Sequence, residues 1–300
     1  MIKARLGGHL EYSRYDYVLE QAAIAHFRKH KNSIYHFVYG GKNYNRLAQS
    51  AGTNGNKIVL TIHHPVEDYE WMFKSLDHFR RVDHVTVVSR NMQPFWEDFL
   101  GKDNVSYIPY AVDTDYFVPA AEKKPGTARK CLFVGSHLRD FDSLRPIVEN
   151  ILNNNSNVEF HMICSDKRCE GIAKSFKRAF WHRGIDDDAY KKLISESDIM
   201  VLPLKASTTL TAVLEAMSSG VPIITNKGGI EDYLSLDSSR VFPVGDVEGM
   251  SNAALEVLGN DELLASMSQE ARKRALKFSW PNTVNKMIEL YKSLLEKDGV

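Results

Sequence analysis

The sequence has no apolar run near the ~20 residues that a membrane-spanning helix needs, and residues 1–10 lack the apolar core of a signal peptide. It has only three cysteines, Cys131, Cys164 and Cys169, an odd count without metal-ligand spacing. Neither a disulfide framework nor a zinc site is expected from them, and a reducing cytoplasm is the simplest setting. It has no net charge, 38 basic residues standing against 38 acidic ones, which excludes a general polyanion binder such as a nucleic-acid protein and leaves only local basic patches. Repeats and low-complexity tails are missing too, and no Asp-x-Asp cluster is placed to hold a metal. What remains is a chain of 300 residues, 43% hydrophobic and 25% charged, with the composition of a globular protein and the length for one large or two medium domains.

The most informative stretch runs over residues 199–232. Residues 199–204 are a short apolar run closed by Pro203, which suits a buried parallel strand. Ser207, Thr208 and Thr209 are N-cap residue types, and one of them is expected to start a helix over 210–218, with Leu210, Val213, Leu214 and Met217 facing a sheet. Gly220 stops the helix, residues 221–225 form the next strand, and Gly228-Gly229 permits a tight turn. Glu215 breaks this plan. It sits beside the apolar stripe with no Lys or Arg three or four residues on.

The pattern Leu-Glu-Ala-Met-Ser-Ser-Gly-Val-Pro-Ile-Ile, followed by Gly-Gly-Ile-Glu-Asp, resembles the donor-binding segment of GT-B glycosyltransferases, above all the retaining family 4 and related bacterial polysaccharide-type enzymes. The resemblance implies an α/β fold of two Rossmann-like domains whose parallel sheets face a cleft. It also implies that Glu215 hydrogen-bonds the ribose of a nucleotide-sugar, a UDP- or GDP-sugar serving as substrate, with no cofactor or metal. Such enzymes usually carry a second Glu eight residues earlier. Here that position is Ser207, and the loop Ser207-Thr208-Thr209-Leu210-Thr211 offers hydroxyls and backbone N–H groups instead, so retention and inversion both stay open.

In the first half, strands are expected over 33–39, Lys57–Ile62 and 84–89, alternating with helices that include one over 15–29 with apolar Val18, Ala22 and Ala25. Gly7-Gly8 reads either as a plain turn or as the remnant of the family's glycine-rich loop against the donor. His63 or His64, at the carboxyl end of a strand, fills the place where family enzymes put a histidine near the reaction centre; a structural role is the alternative. Residues 105–119 resemble the interdomain signature, with Ala111 where glycine is usual, so this loop is expected to turn differently.

In the second half, the strand over 130–134 ends in Gly135-Ser136 and a helix over 141–152 follows, a phosphate-binding arrangement. The family's Arg and Lys are replaced here by Ser136 and Asp142. Arg139 is the one cation in the loop and reads either as a phosphate contact or as a surface partner of Asp140 or Asp142, with Lys205 as a second cation. A basic amphipathic helix over 171–180, with Lys174, Lys177 and Arg178 on one side, is a candidate for peripheral contact with an anionic membrane or for a solvated face. The domain assignment is 1–119 for an abbreviated acceptor-side domain, 120–278 for the donor domain, and 279–300 for a helix crossing back. The expected function is transfer of a sugar to a hydroxyl acceptor, on a glycan, a lipid-linked molecule or a small molecule, by a monomer or homodimer. A non-catalytic nucleotide-sugar-binding subunit is the alternative.

Overall fold

The computed structural model describes residues 12–40, 43–50, 53–120 and 127–296. The chain divides into two compact units, Met1–Pro109 with Thr283–Val300, and Tyr110–Asn282. The division falls at Pro109, ahead of the polar stretch after residue 119 where the sequence places it. The reason lies in residues 110–119, which pack with the second unit: Phe117 and Val112 join its core, and the Tyr110 amide donates to the Tyr233 hydroxyl at 3.0 Å. Ala111 is buried here without a positive φ, so the loop does turn without the glycine conformation.

The first unit runs α1 (Arg14–Lys29), β1 (Ile34–Phe37), β2 (Lys57–Ile62), α2 (Tyr69–Met72), β3 (His84–Val87), α3 (Gln93–Leu100) and β4 (Val105–Tyr107). Its four strands form a parallel sheet in the order β1-β2-β3-β4. Every residue of β3 is buried, as is all of β2 after Lys57, the pattern of strands covered on both faces. In α1, Val18, Ala22 and Ala25 face outward, while the helix buries Phe27 and Glu20. A buried Tyr12 hydroxyl at 2.6 Å and the Arg46 and Leu47 amides satisfy that carboxylate, so the polar residue is the anchored one.

The second unit runs β5 (Arg129–Val134), α4 (Phe141–Asn154), β6 (Val158–Ile163), α5 (Lys167–Ser175), β7 (Ala179–His182), α6 (Asp187–Glu196), β8 (Ile199–Leu202), α7 (Thr211–Ser218), β9 (Ile223–Asn226), β10 (Ser239–Phe242), α8 (Val247–Gly259) and α9 (Asp261–Leu276). Its six parallel strands take the order β10-β9-β8-β5-β6-β7, so the winding reverses between β5 and β8. In doubly wound sheets, ligands bind at the carboxyl ends of the strands that flank this reversal. A last helix, α10 (Trp280–Glu296), lies mostly within the first unit, where Leu290 and Leu294 pack on Val59 and Ile108 and the Tyr291 hydroxyl meets His36 at 2.6 Å.

The basic helix expected over 171–180 is a correction. Helix α5 is shifted toward the N-terminus by an Asp166 cap on the Arg168 amide, and residues 179–182 pair as strand β7. Arg178 is therefore not on a solvated face. Its guanidinium donates to the carbonyls of Asn155 and Val158, both at 2.7 Å, and of Leu152, closing the end of α4, while Lys174 pairs with Glu170. No helix among the described residues is long and apolar enough to cross a membrane.

Candidate donor site at the sheet reversal

The loops that follow β5 and β8 are stitched together across the reversal. The Asp140 amide donates to the Pro203 carbonyl at 3.0 Å and the Lys205 amide to the Leu138 carbonyl at 2.9 Å, with an antiparallel bridge between Arg139 and Leu204. Leu138 adopts a positive φ of 57° to make this turn. Gly135 has φ 93°, and a β-carbon there would stand 2.6 Å from an Arg139 guanidinium nitrogen. A glycine is thus required twice over, for its backbone angle and for the guanidinium packed against it.

Arg139 is buried, at 6% exposure. Its Nε donates to the Val134 carbonyl at 2.8 Å and one terminal nitrogen to the His137 carbonyl at 2.9 Å. Burial pulls the guanidinium down to about 10, opposed by the ionised forms of Cys164 and Tyr190, so it remains a cation at neutral pH. The surface pairing with Asp140 or Asp142 does not occur. Asp140 caps α4 through the Asp142 and Ser143 amides and the Ser143 hydroxyl, and Asp142 sits 3.5 Å from Lys205 on the surface. A buried cation bonded to carbonyls, with no carboxylate in contact among the described residues, is costly by itself and is suited to an incoming anion.

Helix α7 starts one residue later than expected, at Thr211. Its N-cap is Leu210, without a side-chain cap, so none of Ser207, Thr208 and Thr209 caps it. The loop is instead folded inward. Ser207 and Thr208 are buried, the Ser207 hydroxyl points at the Thr209 carbonyl at 3.4 Å, and the Thr209 hydroxyl is buried without a partner. The uncapped start of α7 leaves first-turn N–H groups without a side-chain acceptor, next to a loop of hydroxyls.

Glu215 lies on the second turn of α7. One carboxylate oxygen accepts the Tyr190 hydroxyl of α6 at 2.5 Å. Burial raises the Glu215 pKa above the ordinary carboxylate range, and the Tyr190 bond works against that rise. Tyr190 also feels the Arg139 charge, so the carboxylate and the guanidinium bear on one phenol. Sequence reasoning missed Tyr190; the i+3 and i+4 search looks along one helix, and the partner comes from the neighbouring one. Tyr190→Phe is expected to raise the Glu215 pKa further without unfolding the domain, which titration of the Glu215 carboxyl by NMR together with a thermal melt checks.

The remaining sequence candidates fall as follows. The Ser136 hydroxyl meets Ser165 at 2.7 Å and the Cys164 sulfur at 3.4 Å. Gly228 and Gly229 donate their amides to Glu231, which pins the glycine turn. His63 and His64 belong to the first unit. His63 stacks on Tyr39, bonds the Val38 carbonyl at 2.5 Å, and has its pKa lowered by burial; His64 is exposed, 3.5 Å from Asp68. Gly7 and Gly8 lie outside the described residues. Among the described residues no cluster of three or more His, Cys, Asp or Glu is arranged to hold a metal ion.

Residues 128–260 match the model of the glycosyl transferases group 1. Among curated proteins, the chain is 31% identical over 114 residues to an N-acetyl-alpha-D-glucosaminyl L-malate synthase of Bacillus anthracis, covering 37% of this chain and 30% of that protein. Matches of this kind span only 21% to 30% of the first few curated relatives. Among solved structures, the sucrose-phosphate synthase of Thermosynechococcus elongatus has a TM-score of 0.74 at 19% identity, over 96% of this chain and 82% of that one. The Anabaena protein HepE, in complex with UDP and glucose, has a TM-score of 0.70 at 12% identity, over 91% of this chain and 80% of that one. Likeness at this level of identity shows the fold, two α/β units with parallel sheets, which is the GT-B fold.

Proposed function

From the premise that residues 128–260 form a group 1 glycosyltransferase domain on a GT-B fold, we propose that the protein transfers a sugar from a nucleotide-sugar to a hydroxyl acceptor, without a metal and with retention. The observation that carries this reading is the half-buried Glu215 carboxylate, bonded to the Tyr190 hydroxyl at 2.5 Å on the helix after β8, together with the buried Arg139 guanidinium in the loop after β5.

Glu215 accepts the ribose hydroxyls through the oxygen that Tyr190 leaves free. The diphosphate lies over Gly135-Ser136 and the uncapped start of α7, with Arg139 as its buried counter-charge and Lys205 as an exposed second one. Ser207, Thr208, Thr209 and Leu210 meet the phosphate and the sugar, and the partnerless Thr209 hydroxyl gains a bond when they do. Charge builds on the diphosphate as the glycosidic bond breaks, and a fixed cation in a dry site stabilises that charge more than it stabilises the bound donor. In the first unit, His63 is held by its bond to the Val38 carbonyl and burial lowers its pKa, which suits it to accept a proton. The UDP in the HepE complex favours a uridine donor, with GDP-sugars next. The reading also takes the acceptor hydroxyl to sit on a glycan, a lipid-linked molecule or a small molecule, and the reducing cytoplasm, which suits three free buried cysteines, to be the working compartment.

The replacement of the second Glu by Ser207 favours one other reading, a binder without turnover. Both are tested by thermal stabilisation against UDP-, GDP-, ADP- and TDP-sugars and the free nucleotides, followed by assay of nucleotide release. One nucleotide class is expected to raise the melting temperature, since ligand held only by the folded state stabilises it. Release of free nucleotide from that sugar supports the transferase; stabilisation without release supports the binder. No shift with any member of the panel overturns both.

A further inference from the structure

Helix α1 carries its apolar stripe on the outside. Tyr15, Val18 and Leu19 are 71%, 63% and 40% exposed, and Ala22 and Ala25 continue the line at i+3 and i+4 spacing. The opposite side is the anchored one, through Phe27 and the satisfied carboxylate of Glu20. The charges are sorted in the same way. The helix has two acids: Glu20 is fully buried, and Asp16 is held in a capping box by the Ser13 amide and hydroxyl. The exposed charged residues of the helix and the residues just after it are Arg14, Arg28, Lys29 and Lys31, all basic, with His26 and His30 beside them. On a helical wheel, Lys29 falls on the apolar stripe itself and Arg14 on its edge.

We propose that this face of α1 docks on an anionic lipid surface, with Tyr15, Val18 and Leu19 entering the headgroup boundary and Arg14, Arg28, Lys29 and Lys31 meeting lipid phosphates. A helix with an exposed apolar stripe, interfacial tyrosines and basic residues at both ends lies in the plane of such a surface, and its acids must be kept off that face. Both acids of α1 are kept off it. A second copy of the chain would place like charges of two such helices against each other, which the basic ends oppose. The inference stands on α1 alone and does not depend on the donor site.

Flotation of the full chain with vesicles of phosphatidylcholine alone, and of phosphatidylcholine mixed with phosphatidylglycerol, tests it. Binding is expected to the mixed vesicles, to weaken with added salt, and to fall by about tenfold or more in a Val18→Glu/Leu19→Glu variant. Because both side chains are exposed, the variant should melt with the parent, which separates lost docking from lost folding. Lys29→Glu should weaken binding with the apolar stripe intact. Absence of binding to the mixed vesicles, equal binding to both vesicle types, or binding that the double variant leaves unchanged would overturn the proposal. So would a parent dimer in sedimentation velocity that the double variant dissolves, because the face would then belong to a second copy.

Discussion

Glu215→Gln is expected to weaken nucleotide binding by at least about tenfold, and Glu215→Ala by on the order of a hundredfold, while the ligand-free Gln variant melts higher than the parent. The first effect follows from the bonds lost: a carboxylate accepting two ribose hydroxyls makes charge-assisted hydrogen bonds of roughly 1.5–3 kcal/mol each, and the amide retains only part of that. The second follows from the burial that raises the Glu215 pKa. A carboxylate whose folded-state pKa is raised is held in the fold at a cost whenever it is ionised, and the neutral amide removes that cost while preserving the acceptor for Tyr190 at 2.5 Å. A gain of about 2–4 °C would correspond to roughly 1 kcal/mol in a domain of this size.

The pH dependence has opposite signs for the two quantities. Below the unfolded-state pKa the group is protonated in both states and imposes no burden; as pH rises through the raised folded-state pKa, its contribution to stability is lost. The melting difference between Glu215→Gln and the parent should therefore shrink as the pH is lowered into the ordinary carboxylate range. Donor affinity needs the ionised form, so it should fall over the same descent. Titration calorimetry and thermal melts on both proteins between neutral pH and that range would show the two trends. A parent whose affinity stays flat, or a Gln variant that binds nucleotide as the parent does, removes Glu215 from the donor site.

Much of this site was legible in the sequence because its residues lie in contiguous runs. Strand β8, helix α7, strand β9 and the Gly228-Gly229 turn come from one stretch with helical and strand periods in the expected order, and Glu215 stood out as a carboxylate on a helix meant to be apolar. Strand β2 was read with its bounds intact, since a six-residue β-branched run between polar breaks admits little else. The misreadings share a cause, which is that a local pattern has more than one tertiary use. Ser207, Thr208 and Thr209 are capping residue types, yet the stitch between loops 135–140 and 203–205 draws that stretch inward and leaves Leu210 at the cap. The apolar residues Val18, Ala22 and Ala25 of α1 lie outward, and the core takes Glu20 and Phe27. Arg178 read as part of a basic surface until β7 brought it against the end of α4. Tyr190 meets Glu215 from a separate element, α6, and no spacing in one chain segment announces such a meeting.

Arg139→Met should lower turnover by about a hundred- to a thousandfold while changing donor affinity far less. In the proposed reading the buried guanidinium is the fixed cation beside the departing diphosphate, and loss of one preorganised charge partner of this kind carries a penalty of that order in kcat. Stability should change little, because two effects oppose. The variant leaves the Val134 and His137 carbonyls without their donor, costing about 1–3 kcal/mol each, and it removes an uncompensated buried charge whose desolvation costs several kcal/mol. Gly135→Ala reaches the same guanidinium by another route. A methyl group at φ 93° is strained, and it would stand 2.6 Å from an Arg139 nitrogen, so the charge is displaced with its chemistry intact. Steady-state kinetics with the cognate donor should therefore show the same loss of kcat in both variants, with a loss of folding stability of about 1–3 kcal/mol confined to Gly135→Ala. Turnover that survives in both would mean that the diphosphate leaves without Arg139, and the counter-charge would have to come from Lys205, the exposed cation of the neighbouring loop, which Lys205→Ala would then expose by the kcat loss that Arg139→Met failed to show.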